Sequence, residues 1–106
     1  MMKYTVIRTD MADEQIRKII LYINENFGPE IALQKLDELE KNILNLGDNP
    51  NMGSIPRYHV LRQQRYRVLV LEKNLVFYKV DDERKEGMIY AVLDQRQDYL
   101  NIIRGL

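Results

Sequence analysis

The segment YRVLVLEKNLVFYKV, residues 66–80, determines the expected fold. β-branched and aromatic residues are frequent on both sides of Lys73-Asn74, which is typical of two strands joined by a tight turn. Side chains alternate along a strand, so the first strand has two different faces. One face carries Arg65, Arg67, Leu69 and Leu71, and the other carries Tyr66, Val68 and Val70.

The flanking sequence adds two further strands. After the hairpin, the charged segment DDERKEG (81–87) turns into the apolar run MIYAVL (88–93), which predicts a third consecutive antiparallel strand. Near the start of the chain, KYTVIR (3–8) alternates and predicts a short first strand. Apolar residues from Tyr99 to Ile103 predict a short closing turn of helix.

Two helices are predicted between the first strand and the three consecutive antiparallel strands, which form a meander. Asp10 is the expected N-cap of the first, in which apolar residues recur at helical spacing up to about Asn26. Gly28-Pro29 ends this helix and opens the second. The second helix carries a narrow apolar seam and ends at Gly47; the seam consists of Ala32, Leu36, Leu39, Ile43 and Leu46. So short a connection predicts an antiparallel helical hairpin.

The element order is therefore βααβββ, an α+β fold in which the helical hairpin packs on one face of a four-stranded sheet. A length of 106 residues suits a single domain spanning residues 1–106. Each helix has one apolar face, so the sheet must cover both. We expect the other sheet face, or its rim, to remain available for function.

Composition excludes several kinds of site. The chain has no cysteine, so disulfides, thiolate metal ligands and cysteine nucleophiles are excluded. Its single histidine, without a HxxxH or HExxH pattern, argues against a zinc site, and no metal or cofactor is expected. No apolar stretch reaches the ~18 residues of a membrane span, and MMKYTVIRTD lacks a signal-peptide core. A cytoplasmic protein without membrane association is the expectation.

The charges of the chain cancel but are unevenly distributed. Residues 1–54 hold six Lys/Arg and nine Asp/Glu, whereas residues 55–106 hold ten and seven. No acid occurs between residues 55 and 71, a segment that contains Arg57, His59, Arg62, Arg65 and Arg67. Such a basic segment suits contact with phosphate groups. Alternatively, the arginines keep an edge strand soluble. His59 falls in a predicted loop, where a surface role is the simpler interpretation.

The hexapeptide DQRQDY, residues 94–99, is an unusually polar exit from the last strand. It places Arg96 between two acids and closes on Tyr99. One interpretation is a solvated strand end in which Arg96 pairs with Asp94 or Asp98 and Tyr99 caps the core. The other is a polar site at the rim of the sheet.

Several motifs in the same order resemble the RelE/ParE toxins of bacterial type II toxin–antitoxin systems. They are the helical seam, the loop NPNMGSIP (49–56), the VFY strand and the RxDY motif of Arg96 to Tyr99. The resemblance spans nearly the whole chain. It implies a cognate antitoxin whose tail wraps the toxin. It also implies one of two activities: metal-free mRNA cleavage in the ribosomal A site, or inhibition of DNA gyrase without cleavage.

In the cleaving branch, the resemblance implies roles for individual residues. Arg67 and Arg96 match positions at which cleaving members carry functional basic residues, and an arginine fork suits a phosphate. Tyr99 matches an aromatic position that stacks on a base or donates a proton. The meander is expected to bring Arg67 and Arg96 together, while Arg57, His59, Arg62 and Arg65 are candidates for RNA binding.

Two departures from the family pattern leave the mechanism open. Many relatives carry a histidine where this chain has Asp94, and some cleaving members carry an arginine within the strand that reads NLVFY here. Three hypotheses follow: an mRNA-cleaving toxin, a non-enzymatic inhibitor of gyrase, or a chain that only binds its antitoxin. Whether the chain is an enzyme is undecided at this stage.

Overall fold

The computed structural model describes residues 3–106. Its strands and helices follow in the order β1 (Thr5–Arg8), α1 (Asp10–Phe27), α2 (Pro29–Leu44), α3 (His59–Gln63), β2 (Arg67–Val70), β3 (Asn74–Asp81), β4 (Glu86–Asp94) and α4 (Tyr99–Arg104). None of the helices within the described residues is long and apolar enough to cross a membrane.

The predicted α+β architecture is confirmed, and the sheet is mixed. Its strand order is β1-β4-β3-β2, with β2–β3 and β3–β4 antiparallel as expected. The first strand pairs with β4 in parallel, from Thr5 opposite Glu86 to Arg8 opposite Ile89. A parallel pair needs a long crossover connection, which the helical hairpin and the β2–β3 hairpin provide together.

The start of α1 differs from the prediction, whereas the junction with α2 agrees with it. The prediction that Asp10 is the N-cap is wrong. The N-cap is Thr9, whose hydroxyl accepts a hydrogen bond of 3.1 Å from the Ala12 N–H. Asp10 instead opens the helix and adds negative charge at its positive end. Gly28 ends α1 with φ of 93°, which L side chains rarely adopt, and Pro29 opens α2.

The segment after α2 contains two features that sequence did not predict. The α-helix ends at Leu44 and continues as a 3-10 turn over Asn45–Gly47, rather than running to Gly47. The prediction of a loop around His59 is wrong, because residues 59–63 form the helix α3. This helix has only five residues and no side-chain cap, so it lacks the periodicity by which helices are predicted.

Two hydrophobic cores lie on the two faces of the sheet. The helical hairpin packs on the first face, and this core comprises Ala12, Ile16, Leu39, Ile43, Leu46, Leu69, Val76, Tyr78, Ile89 and Val92. The core on the second face comprises Leu61, Tyr66, Leu75, Phe77, Ala91, Leu93 and Ile103. The expectation that this second face stays free is therefore wrong in large part, because α3 and α4 cover it with fully buried Leu61 and Ile103.

Candidate functional site

Arg67, the first residue of β2, braces a loop. It lies opposite Tyr78, and its Nη2 donates hydrogen bonds to the carbonyl oxygens of Asn51 (2.9 Å) and Gly53 (2.7 Å). Its Nε is buried without a hydrogen-bond partner among the described residues. Residues 50–53 are called the 50–53 loop below. The Arg67 guanidinium is thus committed in part to backbone carbonyls of this loop.

Tyr78 holds the same loop from the neighbouring strand. Its hydroxyl accepts a hydrogen bond from the Gly53 N–H (2.9 Å) and donates one to the Pro50 carbonyl oxygen (2.8 Å). Tyr78 is fully buried, and its hydrogen bond with the Gly53 N–H is shielded from water, whereas the one to Pro50 is partly buried. Sequence analysis missed this role, because the VFY motif marks a strand and gives no sign of what the tyrosine hydroxyl contacts.

Arg96 lies beyond β4 and forms an ion pair with Asp94. Its Nε and Nη2 donate to the two Asp94 carboxylate oxygens at 3.0 and 3.2 Å, and its backbone N–H donates to Oδ1 at 2.8 Å. The hydrogen bonds from Arg96 lower the pKa of Asp94, and hydrogen bonding to Asp94 raises the pKa of Arg96. The side chain of Arg96 is 90% exposed. The surface ion pair considered from sequence is therefore present.

The Arg96→Ala variant is expected to raise the pKa of Asp94 toward its ordinary value while leaving the fold intact. The rise should be partial, because the backbone N–H of residue 96 still donates to the carboxylate. Since the folded-state pKa of Asp94 is depressed, the associated stability exists at neutral pH and is lost as pH falls through that pKa. An NMR titration of the Asp94 carboxyl carbon measures the change. An unchanged titration in the variant would contradict the assigned ion pair.

The expectation that Arg67 and Arg96 come together is wrong. Arg67 lies opposite Tyr78, which lies opposite Ile89, whereas Arg96 follows Asp94 at the far end of β4. The register therefore separates the two positions by ~16 Å along the strands and by about 10 Å across them. In addition, the Arg67 guanidinium is bound to the 50–53 loop and the Arg96 guanidinium to Asp94, so the two groups are not directed at one point.

Tyr99 belongs to the second face of the sheet. Its ring centroid lies 5.3 Å from that of Phe77 and 5.7 Å from that of Tyr58. The Arg57 guanidinium carbon lies 5.3 Å from the centroid of the Tyr58 ring. Interaction with the Tyr58 hydroxyl, and less strongly with that of Tyr99, raises the pKa of Arg57. We call Arg57, Tyr58 and Tyr99 the tyrosine cluster; sequence analysis had not singled out Tyr58.

The other basic residues of the 55–71 segment do not form one surface with the tyrosine cluster. Arg62 folds back onto its own loop, where Nη1 donates to the Pro56 carbonyl oxygen (3.1 Å) and to that of Arg57. His59 is exposed at the start of α3. Arg65 is exposed in the turn before β2, with a left-handed φ of 66°. Among the basic residues of this segment, Arg57 is the one that the structure places against the aromatic pair.

A second charged site lies on the same face, beyond the cover of α3 and α4. The Lys79 Nζ lies 4.4 Å from the Tyr66 ring centroid and 4.9 Å from that of Tyr90, and the two rings meet edge to face at 5.5 Å. Burial raises the pKa of Tyr66, and the electrostatic interaction with Tyr90 raises it to a lesser extent. Lys79 and Tyr90 line an open groove of ≈ 720 Å³ together with Arg65, Met88 and the acidic residues of the β3–β4 turn. We call it the Lys79 groove.

Within residues 3–106, no group of three or more His, Cys, Asp or Glu side chains is placed to hold a metal ion. Among the described residues, cations lie over aromatic rings in the tyrosine cluster, in the Lys79 groove, and at Tyr4, where the Lys85 Nζ is 5.2 Å from the ring centroid.

A family profile and several solved structures are similar to the chain. The profile of the ParE toxin of the type II toxin–antitoxin system, parDE, matches residues 6–99. No curated protein sequence matches the chain. The fold is similar to that of a toxin in the chromosomal ParDE system from P. aeruginosa, with a TM-score of 0.72, 20% identity, and 87% of this chain and 96% of that chain covered.

Two further solved structures share the fold. A chain of the Mycobacterium tuberculosis RelBE2 toxin–antitoxin complex aligns with a TM-score of 0.66 and 19% identity, covering 88% of this chain and 99% of that one. The isolated E. coli RelE toxin aligns with a TM-score of 0.58 and 15% identity, covering 97% and 99%. At these identities the likeness establishes the fold alone.

Proposed function

Because the chain belongs to the ParE toxin family of type II toxin–antitoxin systems, we propose that it arrests growth by binding DNA gyrase without cutting RNA. A cognate antitoxin is the proposed partner that holds it inactive, since solved relatives of the same fold are toxins in complexes with antitoxins. Both the antitoxin and gyrase are macromolecular partners, and neither requires a cofactor on this chain. The proposed place of action is the cytoplasm.

The separation of Arg67 from Tyr99 is the observation that carries this proposal. Metal-free RNA cleavage needs a base, a cation and an acid within hydrogen-bond reach of one phosphate. Here Arg67 points to the face that holds the helical hairpin, where it binds the 50–53 loop, whereas Tyr99 packs against Phe77 on the other face. The sheet itself lies between the two side chains that the cleaving mechanism would combine.

The charges near the proposed cleaving residues also favour a non-cleaving toxin. Asp94 neutralises the charge of Arg96 locally. The second face under α3 and α4 is lined by Leu75, Phe77 and Leu93, which offer no counter-charge to a phosphate. The chain has no net charge, whereas contact with ribosomal RNA gains from an excess of basic residues.

Ribosome-dependent mRNA cleavage is the second candidate, and the tyrosine cluster is the observation in its favour. A guanidinium beside two aromatic rings is an arrangement that stacks on bases of single-stranded RNA. In this alternative Tyr99 stacks on a base or donates a proton, with Arg57 and His59 binding RNA nearby. Arg67 and Arg96 would take catalytic roles only after leaving the contacts described above.

Pulse labelling after induction of the chain alone in bacteria separates the two candidates. We expect thymidine incorporation to fall before methionine incorporation, and the Arg96→Ala variant to arrest growth as the wild-type chain does. An earlier fall in methionine incorporation would contradict the gyrase proposal and favour mRNA cleavage. If neither incorporation falls while folded protein accumulates, the chain only binds its antitoxin, and the proposed activity is wrong.

A further inference from the structure

We propose that the outer edge of β1 pairs with the same edge of a second copy of the chain, in an antiparallel arrangement centred on Ile7. The two sheets then join into the continuous sheet of a symmetric dimer. The inference goes beyond the proposed function, because it concerns self-association and neither gyrase inhibition nor cleavage. Its support comes from the unpaired backbone groups of this edge, their symmetry about Ile7, and the side chains beside them.

β1 is an outermost strand of the sheet, and no other strand among the described residues pairs with its outer side. On the side of β4, the N–H groups of Thr5 and Thr9 donate to carbonyl oxygens at 2.8 and 3.0 Å. Alternate residues of a strand direct their backbone groups to opposite sides, so those of Val6 and Arg8 point away from the sheet. Within residues 3–106, these groups form no hydrogen bond with the backbone of a loop or helix. Such an edge is a template for another strand.

The free edge is short and symmetric about Ile7. Before it, the Tyr4 N–H donates to the Gly47 carbonyl oxygen (2.9 Å), so the 3-10 turn closes the edge there, and after Thr9 the chain enters α1. The outward groups between these limits belong to the residues on either side of Ile7. When two such edges meet antiparallel, Val6 of each copy faces Arg8 of the other, and each pair exchanges both hydrogen bonds. The resulting two-fold contact is closed.

The Ile7 side chain supplies an apolar contact for this pairing. It is half-buried, lies outside the two hydrophobic cores formed by the described residues, and stands opposite Met88, which is also half-buried. In the proposed dimer the two Ile7 residues face each other as a non-hydrogen-bonded pair, with Cα atoms about 4.5 Å apart. This is the closest kind of cross-strand contact, so it removes apolar surface of both side chains from water.

Arg8 does not oppose the pairing, although charged side chains on a strand edge usually discourage it. Its Nε lies 2.8 Å from the Asp13 Oδ1 and its Nη1 lies 3.7 Å from the Glu40 Oε2, so its charge is compensated within its own chain. Both partners belong to the helical hairpin, and they hold the guanidinium on the sheet face opposite to Ile7. The charge therefore stays outside the contact between the two isoleucines.

So short an edge predicts a weak dimer, since stable interfaces usually bury at least about 1,000 Å². We expect the purified full chain to sediment as a monomer at low micromolar concentration and increasingly as a dimer at submillimolar concentration. Hydrogen exchange identifies the edge. The Val6 and Arg8 amides should exchange more slowly as the concentration rises, whereas the Ile7 amide, which points to β4, should be protected at every concentration.

A single introduced thiol tests the register, because the chain has no cysteine. Ile7→Cys places two thiols opposite each other, with Cα atoms about 4.5 Å apart, within the roughly 4.4–6.8 Å that a disulfide spans. Thr5→Cys is the matched control at an exposed position of the same edge, where the two Cα atoms would be roughly 14 Å apart. We expect Ile7→Cys to form disulfide-linked dimers under mild oxidation about tenfold faster than Thr5→Cys.

Ile7→Lys tests the same contact by repulsion. It places two ammonium groups directly opposite each other in the dimer, so we expect the association to be lost while the half-buried position leaves the chain folded. Ile31→Lys is the control for the added charge. Ile31 is exposed on the helical hairpin, and this variant should associate as the wild type does.

Three results would overturn the inference: a wild-type chain that stays monomeric at submillimolar concentration, equal rates of cross-linking for the two cysteine variants, or undiminished association of the folded Ile7→Lys variant. The first result would leave the edge of β1 to a strand of another protein. None of these measurements involves gyrase, ribosomes or growth. Failure of the dimer and failure of the proposed function are therefore distinguishable.

Discussion

Gly53→Ala is expected to lower the free energy of unfolding by about 2–4 kcal/mol. A Cβ at this position would lie 2.6 Å from the Tyr78 hydroxyl oxygen and 2.8 Å from the Val68 carbonyl oxygen. Neither neighbour yields easily, since Tyr78 is fully buried and the Val68 carbonyl accepts a hydrogen bond from the Ser54 N–H. The 50–53 loop must move away from the sheet, which breaks the Tyr78 hydrogen bonds as well.

Urea denaturation measures this loss, and Gly87→Ala is the matched control. A Cβ at Gly87 meets no atom within 4 Å, so that substitution should change the free energy of unfolding by less than about 0.5 kcal/mol. An equal effect of the two substitutions would show that the close approach of the 50–53 loop to Tyr78 does not occur in solution.

Arg67→Ala is expected to destabilise the chain by about 1.5–3 kcal/mol, the range for hydrogen bonds with a charged partner. The substitution removes both donors to the Asn51 and Gly53 carbonyl oxygens. Toxicity should then fall only as far as the amount of folded protein falls. Tyr78→Phe removes the other anchor of the same loop without changing charge, so it should reproduce both the instability and the partial loss of toxicity.

Arg104→Ala serves as the control for the change of charge. Arg104 is exposed in the last turn of α4, and its removal should leave stability nearly unchanged. Unfolding is followed by circular dichroism, and toxicity by growth after induction at matched levels of folded protein. An Arg67→Ala variant that is as stable as the wild type but no longer toxic would contradict the bracing role and support a catalytic one.

Most of the fold was predictable because its segments carry strong periodic patterns. The seam of α2 and the alternation in residues 66–80 each specify an element and the face that it buries. The parallel partner of β1 was not predictable, since a four-residue strand with half-exposed side chains carries no mark of its neighbour. The α3 helix, a single turn without a side-chain cap, was missed for a similar reason.

The sequence predicted the sheet face on which Arg67 lies but not the loop that Arg67 contacts. It placed Arg67 on the face of Leu69 and Leu71, and both leucines do pack against the core under the helical hairpin. The contacts with the 50–53 loop depend on the path of the irregular residues 48–58 back to the sheet, and no local sequence pattern encodes that path. The distance between Arg67 and Arg96 depends on the register of β2, β3 and β4, and small errors in predicting each register accumulate.

The β-bulge in β4 was not predictable from the sequence. The register shifts between Phe77 and Tyr78, which lie opposite Ala91 and Ile89. Tyr90 is therefore the extra residue, and both Tyr90 and Ala91 contribute to the second face of the sheet. Strict alternation would have placed Tyr90 and Ala91 on opposite faces of the sheet, so the two residues would not both lie on the face of Lys79.

The most direct test of the proposed function is DNA supercoiling by purified gyrase in the presence of the purified chain, with mRNA cleavage on translating ribosomes followed for the same preparation. We expect supercoiling to stop as the chain is added in excess and the mRNA to remain intact. Full supercoiling activity together with mRNA cut in the ribosomal A site would contradict the proposal, and the tyrosine cluster would then become the leading candidate site.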